Sequence, residues 1–275
     1  MDSASSGNLP HSSRSHASKL WDRIHQFGHG WVVWFGGREP AVLVSMLLLL
    51  AAGMSFVHLA DEVSEGETHQ FDRWLLRALR TPENPAIPVG PVWLAEVARD
   101  TTSLGGYGCL IFFTLIVTGY LWLDKKQHLA LFLFASATSG YLLSSVLKDL
   151  FQRPRPDIVP HLDTVASTSF PSGHSMNAAI IYLTLGTLIA TAVGRKRLKV
   201  YVIAVALFLT FAVGCSRVFL GVHYPTDVAA GWMAGLSWAL LCWLAARFLQ
   251  SRGQVEQPSV PPDEPKPDLE PHQSV

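Results

Sequence analysis

The chain has 275 residues, of which 49% are hydrophobic and 15% charged. Globular chains carry nearer a quarter of charged residues; here the charges gather in short loops and both tails, which excludes an ordinary water-soluble core. The formal net charge is zero, so there is no electrostatic footprint for nucleic acid and no such partner is expected.

Cys109, Cys215 and Cys242 all lie within apolar runs. They have neither metal-ligand spacing nor a paired framework, and read as buried thiols. Residues 1–18 are rich in Ser and lack any apolar period, so disorder is expected. Residues 1–20 also lack the apolar core of a cleavable signal peptide, which makes the first hydrophobic segment a retained anchor. Over 20–35, Trp21, Trp31 and Trp34 mix with Ile24, Phe27, Asp22 and Arg23, the composition of an interfacial helix. Residues 1–38 are therefore read as a disordered-to-interfacial leader.

Six apolar runs of about spanning length follow, at 41–60, 104–123, 128–147, 176–193, 198–216 and 226–249. None has a charge well inside it, and none has the polar stripe that a helix of a soluble core needs. The expected fold is all-α: a six-transmembrane helix bundle over 39–250. Between the first two runs, Phe71, Trp74, Leu75, Ala78 and Leu79 recur at helical spacing among Asp72, Arg73, Arg77 and Arg80. They predict a short amphipathic surface helix. A second short helix is expected over 93–99, after a proline-containing breaker. Residues 251–275 hold six prolines with Asp, Glu and Gln, and read as a disordered tail.

Orientation follows from Lys and Arg in the loops. With both termini cytoplasmic, the inner segments hold thirteen and the outer eight. The loops at 124–127 and 194–199 decide the matter. The expectation is a multi-pass protein of a bacterial-type plasma (inner) membrane.

Three polar islands then fall on the outer face. The first runs from Lys148 to Arg155-Pro156, the second is Pro171-Ser172-Gly173-His174, and the third is Ser216-Arg217 followed by His223 and Asp227. Ionisable groups at the ends of membrane helices are costly and read as functional. Lys148 and Arg155 offer a point charge and a planar fork to one anion. Ser172 is a good N-cap, and Gly173 allows close approach to the free N–H groups of a helix start. His223 and Asp227 are four apart, so a carboxylate can fix the ring's tautomer and leave the other nitrogen nucleophilic.

Taken together, Lys-x6-Arg-Pro, Pro-Ser-Gly-His and Ser-Arg-x5-His-x3-Asp resemble the three-part signature of the type 2 phosphatidate phosphatase superfamily, the lipid phosphate phosphatases. The resemblance implies His223 as a nucleophile forming phosphohistidine, Asp227 as its orienter and His174 as the acid. It implies Lys148, Arg155, Ser172, Gly173 and Arg217 as the phosphate clamp, with no metal and no cofactor. The substrate it implies is a lipid phosphate or pyrophosphate held in the bilayer: phosphatidate, phosphatidylglycerophosphate or a polyprenyl diphosphate. Two alternatives share parts of this pattern: a vanadate-dependent haloperoxidase-like oxidoreductase, and a non-catalytic lipid-binding or transport protein.

Overall fold

The computed structural model describes residues 40–164 and 167–256. The N-terminal leader and most of the Pro-rich tail, read above from sequence, lie outside the described residues. The chain divides into two units, Met1–Val44 and Ser45–Val275, and the description below concerns the second.

Eight helices and one small hairpin are present among the described residues. They are α1 (Pro40–Glu65), α2 (His69–Ala78), β1 (Arg80–Thr81), β2 (Asn84–Pro88), α3 (Val92–Ser103), α4 (Tyr107–Leu123), α5 (Gln127–Phe151), α6 (Gly173–Ala192), α7 (Lys196–Phe219) and α8 (Pro225–Ser251). Five of them, α1, α5, α6, α7 and α8, are long and apolar enough to cross a membrane. The expected run at 104–123 differs. It is a 17-residue helix, α4, set at 43° to α3, and only the bent pair together passes as a sixth span. The break falls at Gly105-Gly106, where a Cβ on Gly105 would collide with Val213 of α7. The helix expected over 93–99 is accordingly longer, reaching Ser103.

The stretch expected as an amphipathic surface helix forms a helix, α2. Phe71 and Trp74 are exposed, while Asp72 and Leu76 are wholly buried. The thiol expectation needs correction: only Cys242 is buried, Cys109 is half-buried and Cys215 is exposed. An apolar run meant for lipid need not be covered by protein, and α7 shows Phe208 and Phe211 exposed beside that thiol.

α6 is the central helix, packed against α4, α5, α7 and α8. Its core face brings Met176, Ile180 and Ile181 against Leu110, Ala137, Val213 and Ala234. The approach of α8 is close because Gly231 and Gly235 face α6 one turn apart. A Cβ on Gly231 would lie 2.7 Å from the Ser172 carbonyl oxygen, and one on Gly235 2.6 Å from the Ala179 Cβ and from the Met176 carbonyl oxygen. Small residues at such a crossing let helix backbones meet within a bilayer. The turn from α7 to α8 depends on Gly221, at φ +75° and hard against Arg80 and Val159. Arg80 itself donates to the Phe219 carbonyl at the α7 C-terminus (3.0 Å), where a cation is favoured.

Gly235→Val should lower the melting temperature in detergent by several degrees, since overpacking against a backbone costs about 1–3 kcal/mol. Gly119→Ala in α4, with nothing within 4 Å of the added methyl, should leave it unchanged. Equal melting temperatures for both variants would contradict the tight α6–α8 crossing.

Candidate functional site

The three islands occupy the ends of α5 and α7 and the starts of α6 and α8. Successive long helices run in alternating directions, so these four ends meet at one end of the bundle. α5 stops at Phe151 because Gln152 takes a left-handed conformation (φ 46°) and Pro154 follows. The chain then crosses to α6 through a cis Phe170-Pro171 peptide.

The structure brings the predicted residues together. His223 is 1% exposed, and its Nδ1 lies 3.4 Å from Asp227 Oδ2 and 3.3 Å from Ser169 Oγ. On the opposite edge, Arg155 Nη1 is 3.2 Å from Nε2. A guanidinium only donates, so Nε2 accepts and Nδ1 carries the proton. That tautomer leaves a lone pair aimed at the cationic side of the site. Arg155 is held from behind by the carbonyls of Ser167 and Val222, each at 2.7 Å.

Lys148 donates to the Thr168 carbonyl (2.7 Å), and its Cε lies 3.2 Å from where a Cβ on Gly173 would be. Any side chain at 173 would therefore press on Lys148. Ser172 caps α6: its hydroxyl accepts from Ser175 N (3.5 Å) and from the Ser175 hydroxyl (3.0 Å). Its own N–H donates to the Asp227 carbonyl oxygen at 2.9 Å, which ties the α6 start to the α8 start. Arg217, 1% exposed, donates through Nη1 to Asp163 (2.7 Å) and Thr102 (3.0 Å), while its Nε has no partner among the described residues. His174 has Arg217, Asp163, Arg155 and Lys148 as its charged neighbours. Both rings thus face the same cations, since Arg155 and Arg217 also bear on His223.

Burial, the largest influence, holds the His223 ring far below its usual 6.5, down to about 3. The hydrogen bond and charge of Asp227 pull the other way, and the two arginines reinforce burial. Arg155 is lowered to about 10 by burial and by Arg217, partly offset by Asp227 and Asp163, and stays charged at neutral pH.

Sequence reasoning passed over several residues. Asp227 is 0% exposed and receives Arg153 Nη1 (2.6 Å), the Tyr224 N–H (2.9 Å) and the Ser169 hydroxyl besides His223. Arg153 also reaches Asp72 with Nη2 (2.8 Å). Ser169 sits in a polar stretch just before the second island, a signal that adjacency alone could have raised. Asp72 is 81 residues from Arg153 in sequence, and no local pattern marks it. Asp163 lies between the first two islands in sequence, and no local pattern there marks it as the partner of Arg217. Beside the clamp, a cavity of about 610 Å³ is lined by Tyr107, Ser145, Asp149 and Gln152 together with Lys148 and Arg155. Among the described residues, no group of three or more His, Cys, Asp or Glu is placed to hold a metal ion.

Comparison with known proteins adds an independent line. The model of the PAP2 superfamily matches residues 129–250, which contain all three islands. Phosphatidylglycerophosphatase B of Bacillus subtilis is 36% identical over 166 residues, covering 59% of this chain and 79% of that protein. The chain belongs to the PAP2 superfamily. Other PAP2 relatives include a decaprenylphosphoryl-5-phosphoribose phosphatase of Mycobacterium tuberculosis, 32% identical over 50% of this chain and 72% of that one. A lipid A 1-phosphatase of Rhizobium etli is 30% identical over 56% of this chain and 74% of that one. Among solved structures, a transmembrane PAP2-type phosphatidylglycerolphosphate phosphatase from Bacillus subtilis superposes with a TM-score of 0.63 at 30% identity. The match covers 71% of this chain and 94% of that one. The helical PAP2 architecture is therefore shared, and the resemblance read from the islands holds.

A neutral buried ring makes stability fall with acid. The unfolded chain takes up a proton below about pH 6.5, while the folded ring refuses it until about pH 3. In that window the folded state loses up to about 1.4 kcal/mol per pH unit from this group. Wild-type protein should therefore lose more melting temperature between pH 7 and pH 5 than His223→Gln does. Identical losses would show that the ring is not held neutral.

Proposed function

We propose that this PAP2 protein is an integral membrane phosphatase that removes the terminal phosphate of a lipid phosphate or pyrophosphate through a phosphohistidine on His223. The observation that carries this reading is the two-sided setting of His223, between Asp227 and Arg155, which fixes its tautomer. Its protonated edge faces a buried carboxylate, and its bare Nε2 faces Arg155.

In the proposed reaction the substrate phosphate takes the place of the ring nitrogen on Arg155 and of the Asp163 carboxylate on Arg217. Lys148, the Gly173 amide and the Ser172 hydroxyl complete the clamp at the positive end of α6. Nε2 attacks phosphorus in line, and the bond from phosphorus to the lipid oxygen breaks. His174, whose imidazolium is stabilised by the phosphate charge, gives its proton to that oxygen. Asp227 balances the positive charge that the His223 ring acquires. Water then attacks phosphorus, His174 takes its proton, the phosphorus–nitrogen bond breaks and phosphate leaves. Fixed cations and N–H donors around the equatorial oxygens supply most of the rate enhancement.

The bent α3–α4 pair supplies the sixth crossing in this reading. Both termini are cytoplasmic and the site lies at the outer headgroup level of a plasma (inner) membrane, as the Lys and Arg distribution supports. A lipid can then keep its tails in the bilayer while its phosphate enters the clamp. The relatives named above are phosphatases named for phosphatidylglycerophosphate, lipid A and decaprenylphosphoryl-5-phosphoribose, all phosphate-bearing lipids, which supports a lipid phosphate as substrate. The steps proposed here use side chains, backbone N–H groups and water, and no cofactor or metal takes part in them.

The deciding experiment measures phosphate release from a panel of lipid phosphates and diphosphates in detergent with chelator present. It also quenches the reaction in base to trap a phosphoenzyme. Wild-type protein should turn over fully with chelator and give a base-stable phosphohistidine; His223→Ala should give neither turnover nor label. Full turnover in His223→Ala would remove the mechanism, and loss of wild-type activity with chelator would remove its metal independence. Arg217→Lys keeps the charge but loses the planar fork. It should cost about 3 kcal/mol of barrier, about two decades in rate, and a near-normal rate would count against its clamp role.

A further inference from the structure

Asp72 is a carboxylate with no exposure, on a helix that is otherwise largely exposed and lies outside the three islands. A buried carboxylate is strongly disfavoured unless its oxygens are met by donors, and here they are. Oδ1 accepts the Thr226 N–H at 3.1 Å. Oδ2 accepts the Thr226 hydroxyl at 2.7 Å, Arg153 Nη2 at 2.8 Å and the Thr68 hydroxyl at 3.3 Å. The same guanidinium reaches Asp227 Oδ1 with Nη1 at 2.6 Å and the Thr226 hydroxyl at 2.9 Å. It lies over the Tyr224 ring, 4.2 Å from its centroid. Asp227 and Asp72 are both 0% exposed, and the Arg153 side chain is 8% exposed.

We infer that Arg153 and Asp72 are positioning residues for the reaction, holding Asp227 and, through it, the His223 ring. This rests on the reading of His223 as the nucleophile. Two consequences follow from the geometry. First, Arg153 occupies Oδ1 of Asp227, and so turns Oδ2 toward the His223 Nδ1 edge, the Ser169 hydroxyl and the Tyr224 N–H. Second, one guanidinium is divided between two carboxylates, so the trio carries a net charge of −1 next to His223. An Arg153 bound to Asp227 alone would make a neutral pair, and the ring would lose the negative neighbour that favours its cationic phosphorylated form. Asp72 keeps that charge in place by drawing off half of the fork. Burial of such a pair is weak ground for stability, since apolar replacements of buried ion pairs are often neutral. Its bonds to the orienting carboxylate give it a role in the chemistry.

The test uses the full-length protein in detergent with dioctanoyl phosphatidate, followed by rapid quench. Burst amplitude counts competent sites, and burst rate reports phosphohistidine formation per site. Arg153→Lys keeps the charge but cannot span both carboxylates; Asp72→Asn keeps the shape and the acceptor for the Thr226 N–H. Each should slow formation per site by tenfold or more, with KM and inhibition by orthovanadate within about twofold of wild type. The double variant should be no slower than the slower single, because both break one unit. A lower amplitude with an unchanged rate in both variants would mean that the pair only supports folding, and would overturn the inference. Should Asp72→Asn not fold, Thr226→Val removes the hydroxyl shared by Arg153 and Asp72. It should slow formation severalfold at unchanged KM; an unchanged rate would again overturn it. A labelled or active His223→Ala would instead remove the nucleophile assignment, so the two failures are distinguishable.

Discussion

A charged carboxylate without water is the constraint around which this end of the bundle is arranged. Asp227 has no exposure, and donors from three neighbouring segments meet its carboxylate. The α8 start offers the Tyr224 N–H, the loop before α6 offers the Ser169 hydroxyl, and the loop after α5 offers Arg153. His223 takes what remains. The main chain at Asp227 is used as well, since its carbonyl oxygen accepts the Ser172 N–H at the head of α6. One residue therefore joins the loops that precede α6 and α8, and their relative placement decides where the ring points.

The surrounding apolar architecture serves that placement. α6 lies at the centre and approaches α8 across Gly231 and Gly235, close enough that a methyl group would strike backbone. This brings the free N–H groups of the α6 start beside the α8 start. α7 delivers Arg217 from the third side, and α5 delivers Lys148 from the fourth. Lys148, Arg155 and Arg217 lie close together near the positive end of α6, and like charges so placed repel each other. Protein groups relieve part of this: Asp163 on Arg217, the Thr168 carbonyl on Lys148, and the Ser167 and Val222 carbonyls on Arg155. A phosphate group offers the same kind of oxygen with more charge, which is the physical reason the proposed reaction has it replace them.

The PAP2 relatives have names that point to different lipids, yet the matched segment of this chain is the one that carries the islands. The grip on a phosphoryl group needs only fixed cations, a helix start and two imidazoles. Under the proposed function the rest of a lipid would meet other surfaces, and a polar cavity lies beside Tyr107 and Asp149 next to Lys148 and Arg155. Such a separation would let headgroup contacts vary while the proposed clamp stays as it is.

The sequence by itself determined a helical membrane class, the three polar islands and their common end, because charge exclusion from lipid and helix length are local properties. It also determined the residue types of the clamp and the pairing of His223 with Asp227, through spacing and the resemblance those spacings carry. Only the tertiary structure decided which side of α2 is buried, that Cys215 faces outward, and that the second apolar run is one arm of a bent pair. It alone placed Ser169 and Arg153 on Asp227 and brought Asp72 to Arg153 across 81 residues. Partners for a buried charge are chosen by which backbones come close, and a one-dimensional pattern does not encode that proximity.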